Sequence, residues 1–176
     1  MTTNPTPRHD AARLERTYDA PAELIWELWT TTEGLEKWFA PEGFETRVRE
    51  LDLRPGGHLR YTMTATAAEQ VAFMQSIGAP IAVELRKTFT EVARPTRLAY
   101  LTLVDFVPGH EPYDHLTTID IASAGDRTDV VLTMDPFHDD PWTQGSVEHR
   151  RNELDNLAAV IGRRRNRPAS RPQEER

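Results

Sequence analysis

From Phe44 to about residue 135 apolar and polar side chains alternate in one segment after another, and a helical period then takes over for a single long stretch. The first of these segments carries Val48, Leu51 and Leu53 and runs into Arg54-Pro55-Gly56-Gly57, a turn signal between strands. Residues 58–65 alternate Leu59, Tyr61 and Met63 with His58, Arg60 and Thr62. Strand patterns follow at 81–92, 97–107, 113–122 and 128–135, parted by Arg94-Pro95, Pro108-Gly109 and Gly125-Asp126. Long strands adjacent in sequence pair most economically as an antiparallel meander. Residues 139–162 carry Trp142, Leu154, Leu157, Val160 and Ile161 on one long helix, with Gly162 where a C-cap belongs. So wide a sheet cannot stay flat, because strand twist accumulates. Curled around one helix that cannot fill its concavity, it leaves an internal hollow, the physical route to a ligand site.

The segment before the meander supplies the remaining elements. Residues 11–19 (AARLERTYD) form a weak first strand with Leu14 and Tyr18. Pro21 opens a helix whose Leu24, Ile25, Leu28 and Trp29 recur at 3.6-residue spacing. Thr32 followed by Glu33 caps a second short helix through Trp38 and Phe39, and Pro41-Glu42-Gly43 stops it. Residues 67–77 break the alternation, and Val71, Phe73, Met74 and Ile77 suit a short inserted helix ended by Gly78-Ala79-Pro80. The expected class is α+β: a curved antiparallel β-sheet wrapped around a long C-terminal α-helix, with two short helices after the first strand.

Charge and composition exclude several functions. The 21 Lys and Arg against 28 Asp and Glu give −7, and residues 163–176 alone hold six arginines against two glutamates, so the body is near −11. An acidic body does not track phosphates, which argues against nucleic acid as a partner. The chain has no cysteine, hence no disulfide, thiolate zinc site, iron–sulfur cluster or cysteine nucleophile. No run of apolar residues reaches membrane-spanning length and residues 1–10 lack a secretory pattern. The reading is a cytoplasmic chain with a frayed, disordered N-terminus at 1–10, one domain at 11–162 and a basic disordered tail at 163–176.

Residues 18–44, YDAPAELIWELWTTTEGLEKWFAPEGF, resemble the opening of the START-like (SRPBCC) superfamily. More narrowly they resemble the bacterial homologues of the activator of the heat-shock chaperone ATPase. The resemblance rests on Asp19-Ala20-Pro21, the paired Trp26 and Trp29, and Trp38-Phe39-Ala40-Pro41-Glu42-Gly43-Phe44. Arg54-Pro55-Gly56-Gly57 and Leu154-Asp155-Asn156-Leu157 extend it to the hairpin and the last helix, over residues 11–162. It implies the helix-grip fold. One departure is that His149-Arg150 stands where the family usually has Gly-Trp, which implies a more polar pocket wall. The 67–77 insertion is another, read as a lid or a plug.

The expected ligand-pocket residues are Tyr61, Tyr100, Tyr113, His115, Thr117, Ile119, His149, Arg150 and Glu153. Period two puts Tyr113, His115, Thr117, Ile119 and Ile121 on one strand face, opposite Asp114, Leu116, Thr118 and Asp120. His149 and Glu153 share a helix face, without a third group at metal-ligand spacing. His138-Asp139-Asp140 reads as a helix cap, and the aromatics between Trp26 and Phe44 as core. Arg150 is expected at the pocket mouth, favouring carboxylate-bearing ligands. No linear catalytic motif, metal site or cofactor site is present, so no catalytic residue is indicated.

These features imply a START-like protein binding a small hydrophobic, aromatic or lipid-like molecule between sheet and C-terminal helix. A polyketide cyclase-like or hydrolase-type enzyme using the same pocket is the alternative. A chaperone-cofactor or other protein-interaction module rests on the family name, since the eukaryotic proteins behind that name carry an extra domain. Oligomeric state is left open, with a homodimer among the options.

Overall fold

Strand β1 (Ala12–Tyr18) leads into helix α1 (Ala22–Thr30), with Pro21 at its N-cap. Helix α2 (Thr32–Trp38) follows at once. Its cap is Thr31 rather than the expected Thr32: the extended Thr31 presents Oγ1 to the Gly34 N–H at 3.0 Å. Gly34 is sterically required, because a Cβ there would lie 2.7 Å from the Leu28 Cα and carbonyl oxygen. Then come β2 (Phe44–Leu51), β3 (His58–Ala65), α3 (Ala68–Ser76), β4 (Ala82–Ala93), β5 (Arg97–Val104), β6 (Tyr113–Ala124), β7 (Arg127–Met134) and α4 (Asp140–Arg165). This computed structural model describes residues 5–107 and 109–166.

The seven strands form one sheet in the order β1-β7-β6-β5-β4-β3-β2, with every pair antiparallel. Helices α1 and α2 carry the chain from one edge of the sheet to the other, and six strands then meander back until β7 pairs with β1. Register shifts at Val48/Glu50 and Phe89/Glu91 interrupt β2 and β4, and such bulges sharpen strand bending. At the β2–β3 turn Gly57 leaves no room for a side chain, since a Cβ would meet the Asp52 carbonyl oxygen at 2.0 Å.

Helix α4 differs in character along its length. Asp139 caps it by accepting from the Trp142 N–H at 2.8 Å. Its buried residues, Glu153, Leu154, Leu157, Val160 and Ile161, all lie in the C-terminal half. The Leu154-Asp155-Asn156-Leu157 run anchors that half: Leu154 and Leu157 enter the core, and the Leu154 carbonyl accepts from the Tyr18 hydroxyl at 3.0 Å. Asn156 donates to the Ala40 carbonyl at 2.7 Å.

The helix does not stop at Gly162. Its last turn continues to Arg165, with Arg164 paired to Glu27 at 3.2 Å and Arg165 to Asp19 at 3.1 Å. Three arginines at a carbonyl-rich helix end suit the dipole, so residues 163–165 belong to the helix and not to a tail. The rest of the expected tail beyond residue 166, and residues 1–4, lie outside the described residues. Within the expected frayed N-terminus, the Arg8 N–H donates to the Asp135 carboxylate at 2.8 Å. No helix among the described residues is long and apolar enough to cross a membrane.

The aromatics of the first two helices form a packed chain into the core. Trp29 and Trp38 meet edge-on at 4.7 Å, Trp38 meets Phe39 at 5.2 Å, and Phe39 meets Tyr61 at 5.5 Å. The Trp38 indole N–H is satisfied by the Leu28 carbonyl at 2.9 Å. Trp142, by contrast, is 38% exposed on α4. Trp38→Ala should therefore cost about 3–5 kcal/mol, the range for a large buried aromatic, and Trp142→Ala less than about 1 kcal/mol. Equilibrium denaturation of both variants checks this contrast.

Candidate functional site

The N-terminal half of α4 bridges the concave face of the sheet without filling it. Below it lies a cavity of about 750 Å³, within the size range of small-molecule sites. The helix contributes Pro141, Trp142, Gly145, Ser146, His149, Arg150 and Glu153, spaced by three and four residues and thus on one face. Gly145 and Ser146 are the reason for the gap, being too small to reach the sheet. The sheet contributes its inward side chains: Tyr61 and Met63 from β3, Val83, Leu85 and Lys87 from β4, Thr102 and Val104 from β5, His115 from β6 and Met134 from β7. Met74 on α3 and the segment 77–80 close one side, with Pro41, Phe44, Phe106 and Phe137 completing the wall. Helix α3 buries none of its own residues, and it flanks the cavity rather than plugging it.

Most of the lining is apolar, and the polar groups gather at one end. Lys87 is 1% exposed, and among the described residues its hydrogen-bond acceptor is Thr102 Oγ1, 2.9 Å from Nζ. The ammonium position lies 4.5 Å from the centre of the Tyr100 ring, 5.7 Å from Phe39 and 5.8 Å from Tyr61. Burial pushes the Lys87 amine well below the ordinary lysine range; Arg150 adds to this and Glu153 opposes it. Arg150 donates to the Glu153 carboxylate and lies over the Phe39 ring at 5.2 Å. Burial works against the guanidinium charge, but Glu153, Tyr100 and Tyr61 together outweigh it and the net shift is upward. Burial also raises the phenols of Tyr61 and Tyr100, keeping both neutral.

His115 stacks on Phe137 at 4.2 Å and holds Nε2 2.5 Å from the Asp135 carbonyl. A carbonyl only accepts, so Nε2 carries the proton and Nδ1 is the ring's acceptor. Among the described residues no three His, Asp or Glu side chains gather closely enough to hold a metal ion.

The family model described as Activator of Hsp90 ATPase homolog 1-like protein matches residues 19–162. The chain belongs to that family. Solved members and neighbours share its fold. A protein from Chromobacterium violaceum, 25% identical, superposes with a TM-score of 0.70 over 86% of this chain and 96% of that one. The AHSA1 protein from Silicibacter pomeroyi, 16% identical, gives 0.69 over 88% and 99%. A protein from Arthrobacter aurescens, 17% identical, gives 0.71 over 99% and 100%. Among curated proteins none matches the chain. The AHSA1-like fold is thus the helix-grip arrangement of the START-like superfamily, and a shared fold does not by itself assign a ligand.

Of the nine expected pocket residues, Tyr61, His115, His149, Arg150 and Glu153 line the cavity. Tyr100, Tyr113, Thr117 and Ile119 do not. Thr117 and Ile119 lie on the inward face of β6, but further along the strand, where they are buried at 1% and 0% exposure. Tyr100 lies beneath Lys87. Tyr113 shares a 2.8 Å hydrogen bond with His138, which packs against Trp142 at 5.3 Å; it supports the rim from behind. Arg150 is not at the mouth: its side chain is 17% exposed and engaged with Glu153. Glu153 is buried at the inner end, not part of a solvated surface pair.

The residue sequence reasoning missed is Lys87. Val83, Leu85, Lys87 and Phe89 share one face of β4 by period two, so a lysine in the apolar register was the available signal.

Burial pushes the His115 imidazole down from its ordinary 6.5 to about 4, with the Asp135 carbonyl opposing the shift and Lys87 and Arg150 adding to it. Between these values the unfolded chain binds the proton and the folded one does not. This group therefore has no effect above about pH 6.5 and destabilises progressively down to about pH 4, by up to about 3 kcal/mol. His115→Gln, which keeps an N–H for the carbonyl, should lose less stability than the wild type over that window. Denaturant midpoints at pH 7 and pH 4 measure the difference, and an unchanged gap would exclude a buried neutral imidazole.

Proposed function

We propose that this AHSA1-like protein binds one small, mainly hydrophobic molecule in the hollow between the sheet and α4. The observation that carries the reading is the 750 Å³ cavity itself, apolar over most of its wall with polar groups at one end. Apolar surface removed from water yields roughly 25 cal/mol per Å², enough for a drug-sized ligand to overcome its association cost. The small Gly145 and Ser146 keep the space under α4 open. The reading keeps the cytoplasmic setting expected from the sequence.

A cyclase- or hydrolase-type reaction would use the same cavity, but two of its acid/base groups are already engaged. Glu153 accepts from Arg150, and the His115 N–H is committed to a backbone carbonyl. A chaperone-cofactor role draws its support from the family's description alone. Binding is the reading that uses what the cavity offers.

The neutral dye N-phenyl-1-naphthylamine should bind saturably at about one site with micromolar-range affinity. A Cβ at Gly145 would meet nothing within 4 Å. Gly145→Trp should therefore fill the cavity and weaken dye binding at least about tenfold without lowering the melting temperature, since replacing a mid-helix glycine favours the helix. Absence of saturable binding to the wild type would overturn the proposal.

A further inference from the structure

We infer that the inner end of the cavity is a carboxylate subsite in which Lys87 receives the acid group of an amphipathic ligand. This rests on the reading of the cavity as a ligand site and names the class of ligand it takes. The argument is a count of charges. Two cationic side chains, Lys87 and Arg150, meet one carboxylate, Glu153, at this end of the cavity. Arg150 and Glu153 engage each other. Lys87 has three N–H donors when protonated and a neutral hydroxyl, Thr102, as its acceptor among the described residues. The rings of Tyr100, Phe39 and Tyr61 surround it with π faces but supply no anion.

A buried ammonium without a counter-ion is costly, and a leucine or methionine would line the same wall without that cost. The chain has only two lysines against 19 arginines, and one of the two, Lys87, stands here while the other, Lys37, is on the surface. Unlike arginine, a lysine amine can release its proton in an empty apolar cavity and regain it beside an anion. Burial, with Arg150, pushes the amine in that direction, and Glu153 opposes it. An incoming carboxylate is acceptor-only and matches the free N–H donors, while an aliphatic or aromatic body lies along Met63, Val83, Leu85 and Val104. The neighbouring titratable groups offer no second cation at neutral pH from the sheet: Tyr61 and Tyr100 are phenols and His115 is a neutral imidazole. His149 faces the cavity from the exposed part of α4.

Decanoate and decanamide, titrated by displacement of N-phenyl-1-naphthylamine at pH 7, test this. The wild type should bind decanoate at least about tenfold tighter than decanamide, and Lys87→Met should abolish that preference while leaving the affinity for decanamide within about twofold. With 13C-lysine labelling the wild type shows two lysine side chains, and decanoate should move the Lys87 signal and leave Lys37 in place. This readout does not depend on the variant folding. Equal affinities for acid and amide, a preference that survives Lys87→Met, or a Lys87 signal unmoved by bound decanoate would each overturn the subsite and leave the apolar cavity standing. Failure of both probes and of the dye to bind would overturn the cavity reading together with the subsite.

Discussion

One helix cannot cover a seven-stranded sheet that curls around it, and the rest of the architecture is an answer to that mismatch. Helix α4 meets the sheet fully only from Glu153 onward, where Leu154, Leu157, Val160 and Ile161 interlock with the core. The packed ends of α1 and α2 fill the concavity at that side through Trp29, Trp38 and Phe39. At the other side α4 presents Gly145, Ser146 and His149 to the cavity. The void is the direct result of putting small and polar residues on a helix face that elsewhere carries leucine.

The boundary between packed core and void is where the charges lie. Arg150 and Glu153 sit within one turn of helix, at the point where α4 passes from spanning the cavity to filling the core. Lys87 faces them from the middle of β4, over aromatic rings that also terminate the packed chain from α1 and α2. Replacing such groups by hydrocarbon is commonly neutral or stabilising, so stability alone does not account for their presence.

The rim has its own construction. Phe137 and Trp142 lie 6.4 Å apart, Phe106 and Trp142 6.2 Å, and His138 is held beneath Trp142 by Tyr113. Helix α3 stands on the opposite side with Phe73 and Ile77 more than half exposed. Its side chains are anchored less than those of any other helix, since none is buried.

Much of this was legible from residues in order. Alternation fixes which side of a strand faces inward, and it placed His115, Thr117 and Ile119 on one buried face. Turn residues divided the strands, the helical period marked α1 and α4, and capping and stop signals marked α2. The misjudged helix ends have different causes: the extended Thr31 caps α2 one residue earlier through a local contact, whereas Arg164 and Arg165 find acids on α1 and its preceding turn, far away in sequence. Lys87 stood in an apolar register and was open to being noticed. What no periodicity contains is depth along a face. Thr117 and His115 are two residues apart on the same side of β6, yet one is sealed under packed helices and the other lines a cavity. That distinction depends on where α1 and the second half of α4 come to rest, which is set by contacts among residues far apart in the chain. Sequence by itself determined the sheet, the helices and the need for a hollow; the tertiary structure alone decided where the hollow ends and which charges close it, because packing is a property of surfaces that meet only after the chain has folded.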